Sequence, residues 1–464
     1  MDLKDKKILV FGAGKSGIGA VSLLSAVHAR PVLYDGNESL TIEDVEKRIP
    51  EFPDVPVVIG KLKDSLIAEL DLCVLSPGVP TDIDPVCRIR KAGVKIWGEV
   101  ELAYQCSKGT VMAVTGTNGK TTTTTLLGEI MKHYLGQDRV FVVGNIGNPY
   151  TEAALKTDEN SVCVAEISSF QLETTEEFHP HVAAVTNITP DHLNRHHTME
   201  EYVRVKESIT RNQTAGDVVV LNYEDERLRL FGQSLEQRAD APRVAWFSSR
   251  RTLERGMYLD AEILKIRDDA GETEVADVRD LHLLGKHNYE NICTAVLSAV
   301  NYGVPLSKIR EVLLSFRSVE HRIEYVSEVN GVEYYNDSKG TNPDAAIKAV
   351  QAMRRPTVLI GGGYDKDSSY DEWIESFDGK VKALVLTGAT KEKIASCAKA
   401  HGYGPVYLTD TFEEAFETCV RLAERGDAVL LSPACASWGM FPNYEVRGKV
   451  FKQLVGDLQK KERQ

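Results

Sequence analysis

Along almost the whole chain, short runs of valine, isoleucine and leucine alternate with helix-length stretches whose apolar positions recur every three or four residues. A strand buried on both faces reads as a continuous apolar run, whereas a helix lying on a sheet shows one apolar stripe. The alternation predicts an α/β protein built from mostly parallel sheets flanked by helices. Strands are expected near residues 8–11, 31–34 and 72–75 in a first block. A second block should hold strands near 111–115, 141–143, 162–165 and 182–186, and a third near 358–360, 383–386 and 428–431. A helix starting near Asn288 closes the second block. At 464 residues the chain is too long for one core. The three blocks are therefore read as domains spanning residues 1–106, 107–316 and 317–464.

The break after the strand at 111–115 is the most specific local signal. Gly116-Thr117-Asn118-Gly119-Lys120-Thr121-Thr122 separates that strand from a helical pattern carrying Leu126, Leu127, Ile130 and Met131. Strand, glycine turn and helix N-terminus form a phosphate cradle, with backbone N–H groups and the positive helix end aimed at the anion. In such a cradle Lys120 sets a point charge on the outer phosphates, and the Thr121 hydroxyl ligates magnesium. The usual P-loop pattern wants glycine where this chain has Val114, so the loop is an unusual variant.

A second glycine run, Gly12-Ala13-Gly14-Lys15-Ser16-Gly17, follows the first strand and opens a helix, in the Rossmann manner. Asp35 ends the next strand, where a ribose-binding acid belongs, with Gly36 after it. Ser76-Pro77-Gly78-Val79 ends a third strand nearby. Three readings fit these residues: a dinucleotide redox cofactor, a nucleotide-diphosphate group carried by the substrate, or a structural turn. The P-loop downstream makes the substrate reading the most economical.

Magnesium-nucleotide chemistry needs an acid beyond the phosphate loop. Glu166 stands at the end of the strand at 162–165, where a carboxylate faces the nucleotide crevice and supplies a hard oxygen ligand. The strand at 182–186 ends in Asn187-Ile188-Thr189-Pro190-Asp191-His192, which gives His192 a metal-facing or substrate-facing role. Lys206 lies on the same helical face as Tyr202, Val205 and Ile209, so it either snorkels to water or is buried. Burial would favour the neutral amine, which can react with carbon dioxide to form a carbamate.

The net charge of −13 argues against a nonspecific nucleic-acid binder. No apolar run is long enough to span a bilayer. The N-terminus leads straight into a strand, with no pattern of a secretion signal. Eight scattered cysteines, without a C-x-x-C pair, read as small core residues in a reducing compartment. A cytoplasmic protein is expected.

Taken together, the motifs resemble the Mur ligases. The resemblance rests on Gly116 to Thr121, Gly144-Asn145-Ile146-Gly147, Glu166-Ile167-Ser168-Ser169-Phe170-Gln171, Thr189-Pro190-Asp191-His192, Tyr202 to Lys206 and Gly285-Lys286-His287-Asn288-Tyr289-Glu290-Asn291. In the third block it rests on His321-Arg322, Asn336-Asp337-Ser338-Lys339-Gly340-Thr341-Asn342-Pro343 and Ser432-Pro433-Ala434-Cys435-Ala436-Ser437-Trp438. The pattern is most similar to the branch of the family that adds D-glutamate to UDP-N-acetylmuramoyl-L-alanine. The resemblance implies a Rossmann-like N-terminal domain for the UDP-substrate, a P-loop ATPase domain and a Rossmann-like C-terminal domain for the amino acid. It implies an acyl-phosphate intermediate, ATP, two magnesium ions and small-molecule substrates; no nucleic-acid partner, no membrane insertion and a monomer are expected.

By the same resemblance, Thr121, Glu166, His192 and carbamylated Lys206 hold the metal. Asn288, Asn291, Arg322 and Asp337 contact the nucleotide, with Lys339 near the phosphates. Gly14, Lys15, Ser16, Asp35, Gly36, Ser76, Pro77, Gly78, Asn145, Ser168 and Gln171 face the UDP-substrate. Thr341, Lys366, Ser437 and Tyr444 form the D-glutamate pocket. Two positions depart from the pattern: Gly439 stands where many relatives carry an acid, and Tyr444 where phenylalanine also occurs. The rival expectation is a ligase of this type, or of the folylpolyglutamate type, with another amino-acid acceptor. A nucleotide switch leaves the polar strand ends of the third block unused, and a dehydrogenase leaves the P-loop unexplained.

Overall fold

The structure is a computed structural model that describes residues 2–462. Three sheets are built from these residues. The first is wholly parallel, in spatial order Val57–Ile59, Arg30–Asp35, Lys7–Phe11, Leu72–Leu75, Lys95–Gly98. The chain order reverses between Lys7–Phe11 and Leu72–Leu75, a switch point whose carboxyl ends open a crevice. The two end strands, Val57–Ile59 and Lys95–Gly98, were not expected; with three and four residues they are too short to show a pattern.

The second sheet places Thr110–Thr115 between Val162–Glu166 and Val182–Val185, with Val140–Gly144 at one edge. On the other side Val218–Asn222 and Arg243–Ser248 continue the parallel run. Beyond them Gly256–Asp260, Ile263–Asp268 and Gly271–Asp277 complete the sheet, the first two pairing antiparallel. These last strands escape a search for apolar runs because their apolar stretches are short or interrupted: Gly256–Asp260 offers only Met257, Tyr258 and Leu259, and Lys265 divides Ile263–Asp268. Gly271–Asp277 reads GETEVAD, with only Val275 buried.

The third sheet runs Glu324–Val329, Val332–Asn336, Ala428–Leu431, Thr357–Gly361, Val381–Leu386, Val406–Leu408. All its pairings are parallel except the first, a hairpin turning at Asn330-Gly331. Both turn residues have positive φ, 54° and 80°, as a two-residue hairpin with the right twist requires.

The chain divides into two compact units. One runs to Ala276 and takes in Glu290–Val312; the other takes in Asp277–Tyr289 and the residues from Leu313 on. The first unit contains two α/β layers that share one apolar cluster. Val100, Leu102 and Ala103 of the first layer meet Tyr150, Ala153 and Ala154 of the second within it. The helix Lys286–Tyr302, expected from Asn288, crosses the division.

Candidate active site

In the first unit, the phosphate loop leaves the central strand Thr110–Thr115, and the helix Lys120–Leu135 starts at Gly119. Two of its glycines are sterically required. A Cβ on Gly116, at φ 140°, would lie 1.9 Å from the Thr186 hydroxyl oxygen, and one on Gly119, at φ 86°, 2.1 Å from Asn291 Oδ1. The loop is latched to the end of the neighbouring strand. Thr117 N–H donates to Asn187 O (2.9 Å), Asn118 N–H to Asn187 Oδ1 (2.9 Å), and the Thr186 hydroxyl to Asn118 O (2.6 Å). No described side chain caps the helix, so its first turn faces the site with backbone donors. Thr121 and Thr122 sit in that turn. Gly119→Ala is expected to lower any activity that depends on the phosphate loop by at least ~10-fold, by displacing Asn291 and straining the turn. Gly216→Ala, whose nearest neighbour would be 3.8 Å away, is the control. Equal activity of the two variants would refute the packing argument.

Two lysines converge on one carbonyl. Lys120 Nζ donates to Gly116 O and Thr117 O (both 2.9 Å), and Lys206 Nζ donates to Gly116 O (2.8 Å). Lys206 comes from the helix Met199–Glu207 and is 1% exposed, so the structure settles its alternative in favour of burial. Burial, reinforced by the nearby Lys120 charge and partly opposed by Asp191, lowers its pKa to about 7. Its Nζ also lies 4.9 Å from the Tyr202 ring centre, and the Tyr202 hydroxyl is 3.0 Å from the Thr117 hydroxyl.

Glu166 ends its strand with 1% exposure. Its Oε1 accepts from Asn145 Nδ2 (2.9 Å), while its Oε2 is buried with no hydrogen-bond partner. A carboxylate oxygen left so is costly unless a cation meets it, and this orphan fits a magnesium ligand. His192 is half-exposed, at φ 52°, with its ring against Phe170 (4.8 Å) and Nε2 3.5 Å from Asp191.

At the switch point of the first sheet lie two cavities. One, about 460 Å³, is lined by Gly14, Lys15, Ser16, Asp35, Ser76, Pro77, Gly78, Asn145 and Gln171. The other, about 610 Å³, takes in Asp35, Gly36 and Gly78 with Tyr34 and Arg88. Asp35 also holds the glycine loop, accepting from Ala13 N–H and Asn37 N–H (both 2.9 Å). Ser168 is engaged otherwise: it caps the short helix Ser169–Leu172 reciprocally with Gln171. A third cavity, about 570 Å³, has its charges paired internally, as in Arg195–Glu173 and Lys95–Glu176, and contains none of the expected residues except by neighbourhood to Lys206's helix.

Sequence reasoning missed Glu99, which lines the smaller switch-point cavity at 3% exposure. Its Oε1 accepts from Gln171 Nε2 (2.8 Å) and its Oε2 has no partner; burial raises its pKa, with the Gln171 bond opposing. Nothing local marks it, since its partner lies 72 positions away.

In the second unit, loops at the carboxyl end of the third sheet carry the remaining residues. Lys339 Nζ lies 5.4 Å from the Tyr444 ring centre, and Lys366 Nζ 4.9 Å from that of Trp438. Trp438 is itself exposed and was not expected as a site residue. Asp337 is buried, accepting from the Ser432 hydroxyl (2.7 Å) and Ile323 N–H (3.2 Å), and burial pushes its pKa up to about 7. Buried Arg447 ties these loops together through Ser338 and the Cys435 carbonyl. Arg322 and Lys366 are exposed, Thr341 and Tyr444 half-buried, and Ser437 buried. Asn288 donates to Leu284 O (2.7 Å), whereas Asn291, in the first unit, accepts from Thr123 (3.4 Å). Gly439 has φ 85° with open space around it, a conformation that disfavours an acidic side chain there.

Three family models match the chain: the Mur ligase MurD-like N-terminal domain over residues 6–98, the Mur ligase middle domain over 114–299, and the Mur ligase glutamate ligase domain over 321–435. A UDP-N-acetylmuramoylalanine–D-glutamate ligase from Lachnoclostridium phytofermentans is 55% identical over 99% of both chains. One from Lachnospira eligens is 52% identical over 99% of this chain and 100% of the relative. Among solved structures, UDP-N-acetylmuramate-alanine ligase from Thermotoga maritima matches 97% of this chain and 99% of its own, with a TM-score of 0.58 at 20% identity. At that identity the likeness speaks for the fold.

Proposed function

The chain belongs to the Mur ligase family, and from that premise we propose that it joins D-glutamate to UDP-N-acetylmuramoyl-L-alanine in an ATP-dependent step of peptidoglycan precursor synthesis. The observation that carries this reading is the 55% identity to a D-glutamate ligase over nearly the full length of both chains, combined with a phosphate loop beside the buried Lys206 that suits phosphoryl transfer. The alanyl carboxylate oxygen attacks the γ-phosphorus of ATP, its bond to ADP breaks, and an acyl phosphate results. The amine of D-glutamate then adds to the acyl carbon, phosphate leaves from the tetrahedral intermediate, and the amine proton is lost to give the amide.

Such a transfer is mainly positioning and charge neutralisation. Backbone N–H groups of the helix's first turn, from Lys120 to Thr122, and the Lys120 ammonium would hold the outer phosphates, while the Thr117 and Asn118 N–H groups fix the loop on Asn187. Thr121, Glu166, His192 and Lys206 would hold magnesium, which when bound neutralises phosphate charge. In this reading Lys206 would serve as a carbamate: its neutral Nζ adds to carbon dioxide and loses one proton, turning a neutral amine into an anion beside Lys120. The residues around the two switch-point cavities would seat the UDP-substrate, and Thr341, Lys366, Ser437 and Tyr444 the amino acid. Nucleotide contacts are assigned to Asn288, Asn291, Arg322 and Asp337, with Lys339 at the acyl phosphate. Among the described residues no helix is long and apolar enough to cross a membrane.

The decisive test is phosphate release from ATP with UDP-N-acetylmuramoyl-L-alanine and, in turn, D-glutamate, L-alanine, L-lysine or meso-diaminopimelate. Release with D-glutamate alone is expected; release only with another acceptor overturns the assignment. For the missed acid, Glu99→Ala should raise KM for the UDP-substrate about 5- to 30-fold. That is the equivalent of about 1–2 kcal/mol from one lost buried hydrogen bond. An unchanged KM would remove Glu99 from the substrate cavity's working parts.

A further inference from the structure

We propose that Asp371, Cys397 and His401 form a surface site in the second unit for a zinc-like divalent ion, separate from any magnesium used in catalysis. Asp371 opens the helix Asp371–Glu375, and Cys397 lies in the helix Lys391–Ala400, which His401 terminates. Cys397 and His401 are four positions apart, so one helical face presents both. Asp371 meets them from the other helix.

The donor atoms lie within 4.8 Å of one another. Cys397 Sγ is 3.7 Å from Asp371 Oδ1, and His401 Nε2 is 2.8 Å from the same oxygen. Around tetrahedral zinc, with bonds of ~2.3 Å to sulfur and ~2.0 Å to nitrogen or oxygen, these edges would be ~3.5 Å and ~3.3 Å. The sulfur–oxygen edge is nearly in place. The nitrogen–oxygen edge must open by ~0.5 Å, within reach of an exposed aspartate and a terminal histidine.

The surroundings support the same reading. His401 Nδ1 is 3.5 Å from Glu375 Oε1, so a carboxylate backs the imidazole as in carboxylate–histidine–metal arrangements. The Ser369 hydroxyl donates to Asp371 Oδ2, leaving Oδ1 turned toward the cysteine and histidine. One sulfur, one nitrogen and one oxygen favour zinc or cobalt over magnesium, and three protein ligands leave a fourth position for water.

The test uses the full-length protein, stripped with chelator and held in excess magnesium so that magnesium-selective sites are filled. Titration with cobalt(II) should produce a thiolate-to-cobalt charge-transfer band in the near ultraviolet, saturating at one equivalent and abolished by zinc. Cys397→Ser and His401→Ala should both lose the band while keeping ligase activity with magnesium. Zinc should raise the melting temperature of the parent protein and leave that of Cys397→Ser unmoved. Absence of the band, or its survival in Cys397→Ser, overturns the proposal, since the thiolate would then be missing or another cysteine's.

Discussion

Lys206→Ala is expected to lose ligase activity by at least ~10³-fold while keeping its fold, and to regain part of it with short-chain carboxylates such as propionate but not with bicarbonate. The side chain is 1% exposed and its pKa falls to about 7, so near neutral pH much of the amine is unprotonated and able to take up carbon dioxide. As an ammonium it shares the Gly116 carbonyl with Lys120, an unfavourable pair of like charges. As a carbamate it would give Lys120 an opposite charge and, in the proposed site, would offer oxygen to a cation. Because only the neutral amine reacts, activity at fixed carbon dioxide should fall as pH drops below about 7. Alanine leaves space for a small carboxylate but no nitrogen for bicarbonate to restore. Rates with and without propionate, alongside a thermal melt, distinguish the outcomes. Full activity of the alanine variant would exclude the carbamate.

Glu101→Ala should cost about 3–5 kcal/mol of stability, read from urea unfolding. Glu101 is fully buried on the helix Glu99–Cys106 of the first layer. Its carboxylate accepts three consecutive backbone N–H groups of the second layer: Glu176 (2.8 Å), Glu177 (3.1 Å) and Phe178 (3.0 Å). Gln105 Nε2 adds a fourth bond (2.9 Å). Alanine removes an acceptor that one water cannot replace and leaves a cavity in the layer junction. Glu101→Gln should be intermediate, because the amide keeps one acceptor oxygen and turns a donor toward other donors. A loss below ~1 kcal/mol for alanine would mean that water or a shift of residues 176–178 satisfies the freed amides.

The contrast between Glu99 and Glu101 shows where sequence reading stops. Two positions apart on one helix, they face different partners, Gln171 and the amides of 176–178, more than 70 positions away. No local pattern distinguishes them. Lys206 was half legible: its place on the apolar stripe with Tyr202 and Val205 narrowed the choice to snorkelling or burial, and the third dimension chose burial. The cysteines show the same divide. Cys73, Cys163, Cys293, Cys419 and Cys435 are buried as expected, but Cys87, Cys106 and Cys397 are only partly so, and Cys397 meets an acid and a histidine. In the fold, most of the apolar parallel strands were readable, but Val218–Asn222 and Arg243–Ser248 were not anticipated although both are parallel and largely apolar. Nor were the strands of residues 256–277, whose apolar stretches are short, as in Gly256–Asp260, or absent, as in Gly271–Asp277.

By itself the sequence determined the α/β layering, the phosphate loop and its glycines, because strand burial, helix stripes and turn stereochemistry depend on neighbours within a few residues. Tertiary structure alone decided that Lys120 and Lys206 share a carbonyl and that Glu166 keeps one oxygen unpartnered. It also decided which acid faces the cavity and which clamps two layers. Those outcomes depend on burial and hydrogen-bond partners supplied by distant segments, and burial is a property of the packed chain rather than of any stretch within it.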